Sequence, residues 1–185
     1  VFSLITTSAK AALEIVITEG IDTARPIAVV PFKYEGVKQL PLALADIVAA
    51  DLVRSGKFKP MAKLDMPQLP KSDDEVDYAS WTSAGVEAIL VGEVKDSDDG
   101  RFIVSFELID VLRGQITGGQ VQVLMNGRLV ETKDHILDSR QVIIADSQFR
   151  RYAHRVSDLA YEKLTGEKGA FLTKISYVTI KHKDV

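Results

Sequence analysis

The feature that most narrows what this chain can become is a short, unbroken apolar run among prolines: Ile27, Ala28, Val29 and Val30 follow Pro26, and Pro31 and Phe32 close the run. A strand with one wet face alternates apolar and polar residues, and this run has no polar position to offer water. It predicts a central strand covered on both faces, and so a layered fold in which helices pack on a sheet.

The covering helices are legible by their period. Over residues 41–54, Leu44, Ile47, Val48 and Leu52 recur at helical spacing with Asp46, Asp51 and Arg54 turned elsewhere, and Gly56 stands where a left-handed cap ends a helix. Over residues 146–164, Phe149, Tyr152, Ala153, Val156, Leu159, Ala160 and Leu164 fall on one stripe, with Asp146 or Ser147 as cap and Gly166 as stop. A shorter helix over residues 78–84 carries Trp81 and closes at Gly85.

Further strands alternate between the helices. Residues 13–17 place Leu13, Ile15 and Ile17 on one face, and residues 58–61 make a brief strand that Pro60 confines to an edge. Residues 88–94 and 101–110 are two antiparallel strands joined by the Asp and Gly residues of 96–100. Residues 171–180 alternate as a last long strand, and residues 62–75 read as a polar linker. Glycines 118, 119 and 127 interrupt residues 114–145, predicting a protruding hairpin or a mobile excursion. The whole is a mixed α/β fold with helices on a sheet of about five strands.

Charge and composition remove several function classes. With 23 basic and 26 acidic side chains, the net charge of -3 gives no general attraction for phosphate backbones or anionic lipid, so nucleic acid is not the expected partner. The absence of cysteine excludes disulfides, thiolate metal sites and cysteine nucleophiles. His135, His154 and His182 lie in a loop, a helix and the tail, without the spacing of a ligand set. Asp96, Asp98 and Asp99 resemble a calcium loop only superficially, since Arg101 stands where that loop needs glycine.

No nucleophile elbow, Walker loop or dinucleotide fingerprint follows an expected strand. Gly166, Glu167, Lys168 and Gly169 follow a helix and read as a plain turn, and Arg150, Arg151, Arg155 and Lys163 read as a solvated helix face. No catalytic, cofactor or metal residues are therefore expected.

The first residues point to export. Val1, Phe2, Ser3, Leu4 and Ile5 are apolar and are followed by Ala9-Lys10-Ala11, a pattern signal peptidase accepts. Residues 1–11 are read as a signal remnant cleaved before Ala12, with no later run long enough to span a bilayer. That predicts a protein of the periplasm or the exterior.

Five blocks in order carry a family resemblance. Residues 14–20 (Glu-Ile-Val-Ile-Thr-Glu-Gly) lead into residues 25–32 (Arg-Pro-Ile-Ala-Val-Val-Pro-Phe), followed by residues 47–58, Trp81 with Val91-Gly92, and residues 159–177 with Leu-Thr-Gly-Glu-Lys-Gly-Ala-Phe at 164–171. The chain resembles the TolB family, over its N-terminal domain.

The resemblance implies a periplasmic adaptor of the Tol-Pal system that supports outer-membrane integrity and constriction at cell division, and that bacteriocins exploit for import. It implies a domain at residues 12–180, a linker start at residues 181–185, and a missing β-propeller that would carry the Pal site. It assigns binding of the TolA C-terminal domain to Ala12, Leu13, Glu14, Ile15, Val16, Ile17, Thr18, Glu19, Gly20, Ile21, Asp22 and Thr23. Contact with the membrane would run only through partners. The segment from 119 to 144 is longer than the family pattern leads one to expect.

The residues agree with such a role. An alternating chain end with free backbone groups can add as a strand to a partner's edge, or pair within its own sheet. The competing expectations are a domain of a periplasmic hydrolase, marked by a deep pocket with convergent polar groups, and a nucleic-acid-binding module.

Overall fold

The computed structural model describes residues 24–117 and 121–173. The expected strand at residues 13–17, most of the one at residues 171–180, and the partner-binding segment expected at residues 12–23 lie outside the described residues; residues 171–173 form a turn.

The apolar run begins β1 (Arg25–Val29), which sits inside the sheet between parallel neighbours β3 (Phe58–Pro60) and β4 (Ala88–Asp96). Its alternate side chains serve two cores. Ile27 and Val29 face one, while Ala28 and Val30 face the other. An unbroken apolar strand is the consequence of that double burial.

Strand β2 (Lys33–Glu35) extends the sheet along the far end of β4, and β5 (Phe102–Asp110) pairs antiparallel with the whole of β4. A nine-residue partner for β5 was not legible: β8 (Ile136–Ile144, 9 residues) pairs antiparallel with it and is the last strand of the sheet among the described residues. The order is β3-β1-β4-β5-β8 with β2 also on β4, a mixed sheet of six strands among the described residues, in keeping with the expected size of about five.

Helices α1 (Leu44–Arg54) and α4 (Phe149–Thr165) cover one face with Leu44, Val48, Leu52, Phe149, Ala153, Val156 and Ala160. On the other face α2 (Tyr78–Ser83) inserts Trp81 over Ala28, Val30, Ile89, Val91, Ile109 and Val111. That second cover reaches only one end of the sheet. The rest of this face is polar, with Lys71 bridging Glu35 at 3.1 Å and Glu93 at 3.5 Å.

The segment expected to be a protruding hairpin or a mobile excursion holds a hairpin and further elements on either side of it. It contains α3 (Val111–Thr117), then a separate two-stranded hairpin of β6 (Val121–Met125) and β7 (Arg128–Thr132), and then β8. The polar linker also differs from expectation, because it is pinned by short helical turns at Lys63–Asp65 and Asp73–Glu75, and Asp73 is buried.

After α4 the chain reverses sharply. Gly166 has φ +78°, a left-handed cap that L side chains rarely adopt. A Cβ on Gly169 would fall 2.5 Å from Asp158 Oδ1, so only glycine lets the returning chain approach the helix. The amide of Phe171 then donates to Asp158 Oδ1 at 2.7 Å, and its ring meets Tyr161 edge-on. The family-like block around residues 164–171 is thus a turn with a steric specification.

Candidate functional site

The expected binding segment leaves the described chain at a well-held point. Arg25, the first residue of β1, donates its amide to the Lys57 carbonyl at 2.9 Å. Its guanidinium holds Glu87 at 2.7 Å and the Leu164 carbonyl, at the end of α4, at 2.6 Å. The start of β1 is therefore held at one fixed corner, where β1, β3 and α4 meet.

Two buried polar clusters lie within the domain, and both join elements distant in sequence. In the first, Asp51 is fully buried on α1, against the expectation that it turns away from the apolar stripe. Its Oδ2 lies 2.7 Å from His154 Nδ1 and accepts from the Ser157 hydroxyl at 2.8 Å, both on α4. Oδ1 accepts from Arg54 at 3.2 Å. The helical period contained the missed signal, since Leu44, Val48 and Asp51 stand at i, i+4 and i+7.

These residue types are those of a hydrolytic triad, but their geometry is different. A nucleophilic serine must hand its proton to a histidine nitrogen and face substrate. Ser157 is buried, and its hydroxyl lies against the Asp51 carboxylate and, at 3.0 Å, the Ala153 carbonyl. The trio fastens α1 to α4.

In the second cluster, Asp73 accepts from the Tyr78 hydroxyl, has His135 Nε2 at 2.7 Å, and accepts from Lys133 at 2.9 Å. Its own amide donates to Glu107 at 2.7 Å. One residue so ties α2, β5 and the connection from β7 to β8 together. His135 is fully buried there, and His154 is half-buried in the first cluster; His182 lies outside the described residues.

Burial pushes the Asp73 carboxyl up, but hydrogen bonds from Tyr78, Lys133 and His135 outweigh it and leave the group below its usual value. A carboxyl lowered by folding stabilises the domain above the ordinary carboxylate pKa and loses that contribution as pH falls through the lower, folded value. The acid limb of stability below about pH 4 is therefore expected to flatten in Asp73→Asn. Urea midpoints measured across that range check this; an unchanged limb would contradict it.

Burial likewise raises the Tyr152 phenol to about 12, and Tyr78 is raised by burial together with the Asp73 carboxylate. Both stay neutral near pH 7. Among the described residues no group of three or more His, Asp or Glu side chains is arranged to hold a metal ion. No helix among them is long and apolar enough to cross a membrane.

The comparisons agree on one relationship. The sequence profile of the TolB amino-terminal domain matches residues 13–117, more than half of the chain. The chain is 40% identical over 177 residues to the Tol-Pal system protein TolB of Histophilus somni (strain 129Pt), covering 96% of this chain and 37% of that protein. It is 42% identical over 174 residues to the protein of the same name from Pasteurella multocida (strain Pm70), covering 94% of this chain and again 37% of the relative. Among solved structures, TolB from Acinetobacter baumannii is similar with a TM-score of 0.57 and 28% identity, over 80% of this chain and 30% of that one. The chain thus spans about a third of the length of these relatives.

Proposed function

Because the chain belongs to the TolB amino-terminal domain family, we propose that it is a non-enzymatic, periplasmic component of the Tol-Pal system that binds the C-terminal domain of TolA through residues 12–23. The family match carries this reading, since it begins at residue 13 and takes in nearly all of the proposed segment. Leu13, Ile15 and Ile17 alternate with Glu14, Val16 and Thr18, a pattern suited to an added strand whose main chain supplies affinity and whose apolar side supplies register. The anchoring of Arg25 to Glu87 and Leu164 gives such a strand a rigid base.

In the same reading, residues 1–11 are the tail of an export signal and residues 181–185 begin a linker. Contact with Pal then belongs to the propeller that family members carry beyond this domain. Support of outer-membrane integrity, constriction at division and bacteriocin import would follow from these contacts. The two buried clusters favour binding over catalysis, because each uses its ionisable groups to join elements.

Removal of residues 12–20 is expected to abolish binding of the TolA C-terminal domain in calorimetry. The far-ultraviolet spectrum and melting temperature should stay close to those of the full chain. Binding at undiminished affinity by the truncated protein would overturn the assignment.

A further inference from the structure

The sheet ends at β8, and among the described residues no strand pairs with its outer edge. Unpaired edges present a row of backbone donors and acceptors that proteins cover, charge or use. Beside the C-terminal end of this edge, α4 and the returning residues 171–173 enclose two adjoining hollows of about 370 and 560 Å³, which share Arg151 and Leu172. Ile144, Tyr152, Phe171 and Leu172 make them apolar.

Their rim is basic and unbalanced. Arg25, Arg54, Arg101, Arg113 and Arg140 each hold a carboxylate. Arg150, Arg151 and Arg155 project from α4 into the hollows and form no ion pair among the described residues. In a chain of net charge -3, three guanidiniums left free at one apolar groove are a local departure from the average surface.

We infer that the groove between the β8 edge and α4 docks an extended segment of another protein in which the residues of one face, every second one along the strand, are acidic and apolar in turn. The segment's main chain continues the sheet from β8. On its helix-facing side, apolar residues enter the hollows and carboxylates meet Arg150, Arg151 and Arg155, which bind such groups in bidentate fashion. The chain's own residues 174–185 suit the groove poorly, since Lys174, Lys181 and Lys183 stand against one acid, Asp184. Residues 12–23 are acidic and are the internal competitor. This inference is independent of TolA binding, which is read on a different variant.

The test uses a fluorescent peptide of repeating Glu-Thr-Val-Thr, which puts Glu and Val on one face of a strand, and its counterpart of repeating Lys-Thr-Val-Thr, titrated into the full chain at low salt. Only the Glu peptide should bind, and hydrogen exchange should slow in residues 136–144. The double variant Arg151→Glu, Arg155→Glu should bind about tenfold more weakly or worse with an unchanged melting temperature. Should it unfold, Arg151→Gln with Arg155→Gln replaces it, with weakened binding again expected. Equal binding of both peptides, indifference to the arginine substitutions, or displacement by a single-stranded oligonucleotide would overturn the proposal. So would binding that emerges only after residues 1–23 are removed, because the groove would then belong to the chain's own N-terminal segment.

Discussion

Replacing Trp81 with alanine is expected to cost about 4 kcal/mol, which for a domain of this size lowers the melting temperature by roughly 10 °C. Trp81 is fully buried and heads the fully buried side chains by volume. It comes from α2, six residues long and too short to persist without tertiary contacts. Asp77 caps that helix by accepting from the Ala79 amide, and Trp81 fixes it over the face of the sheet that α1 and α4 leave open. Losing the indole leaves a void bounded by β1, β4 and β5 strands that cannot collapse together, since their spacing is set by hydrogen bonds. The indole Nε1 has no acceptor among the described residues, so Trp81→Phe loses no hydrogen bond to them and should cost only about 1 kcal/mol. Urea denaturation of both variants decides the matter, and a loss below about 1 kcal/mol in Trp81→Ala would refute this account of the second core.

Asp51→Ala is expected to cost about 3 kcal/mol, the range for breaking a buried, multiply hydrogen-bonded carboxylate. The alanine leaves His154 Nδ1 and the Arg54 guanidinium without their acceptor, while Ser157 keeps only the Ala153 carbonyl. Asp51→Asn retains the shape and one acceptor and should be milder. A double-mutant cycle with Ser157→Ala isolates the link between α1 and α4, and additive losses would show that the two side chains do not act together. The same cycle bears on chemistry, because Ser157 acts here as part of a fastener.

The elements that could be read from the chain are those whose cause is local. Residues 27–32 announced double burial by lacking a polar position, and β1 serves both cores. The stripes of α1 and α4, the paired β4 and β5, the edge placement of β3 with Pro60 and the left-handed Gly166 all followed from period or backbone geometry. Strand β8 escaped because an edge strand has weak alternation: Asp138, Ser139, Arg140 and Gln141 run polar on both faces, and the sheet supplies its partner from β5. Strand β2 escaped because three residues carry no period at all.

The candidate sites divide in the same way. The alternation of Leu13, Ile15 and Ile17 and the family-like blocks are properties of the chain itself, and the blocks carry the resemblance to the TolB family. By itself the sequence determined the layered α/β class, the helices and central strands, and the absence of any thiol chemistry, because each depends on which residues stand next to one another. Only the tertiary structure decided that Asp51 meets His154 across 103 positions, that Asp73 meets His135 across 62, and that three arginines of α4 line hollows beside Ile144 at the end of β8. Those are distances between segments, and packing sets them by bringing together charges whose sequence neighbours give no sign of the partner.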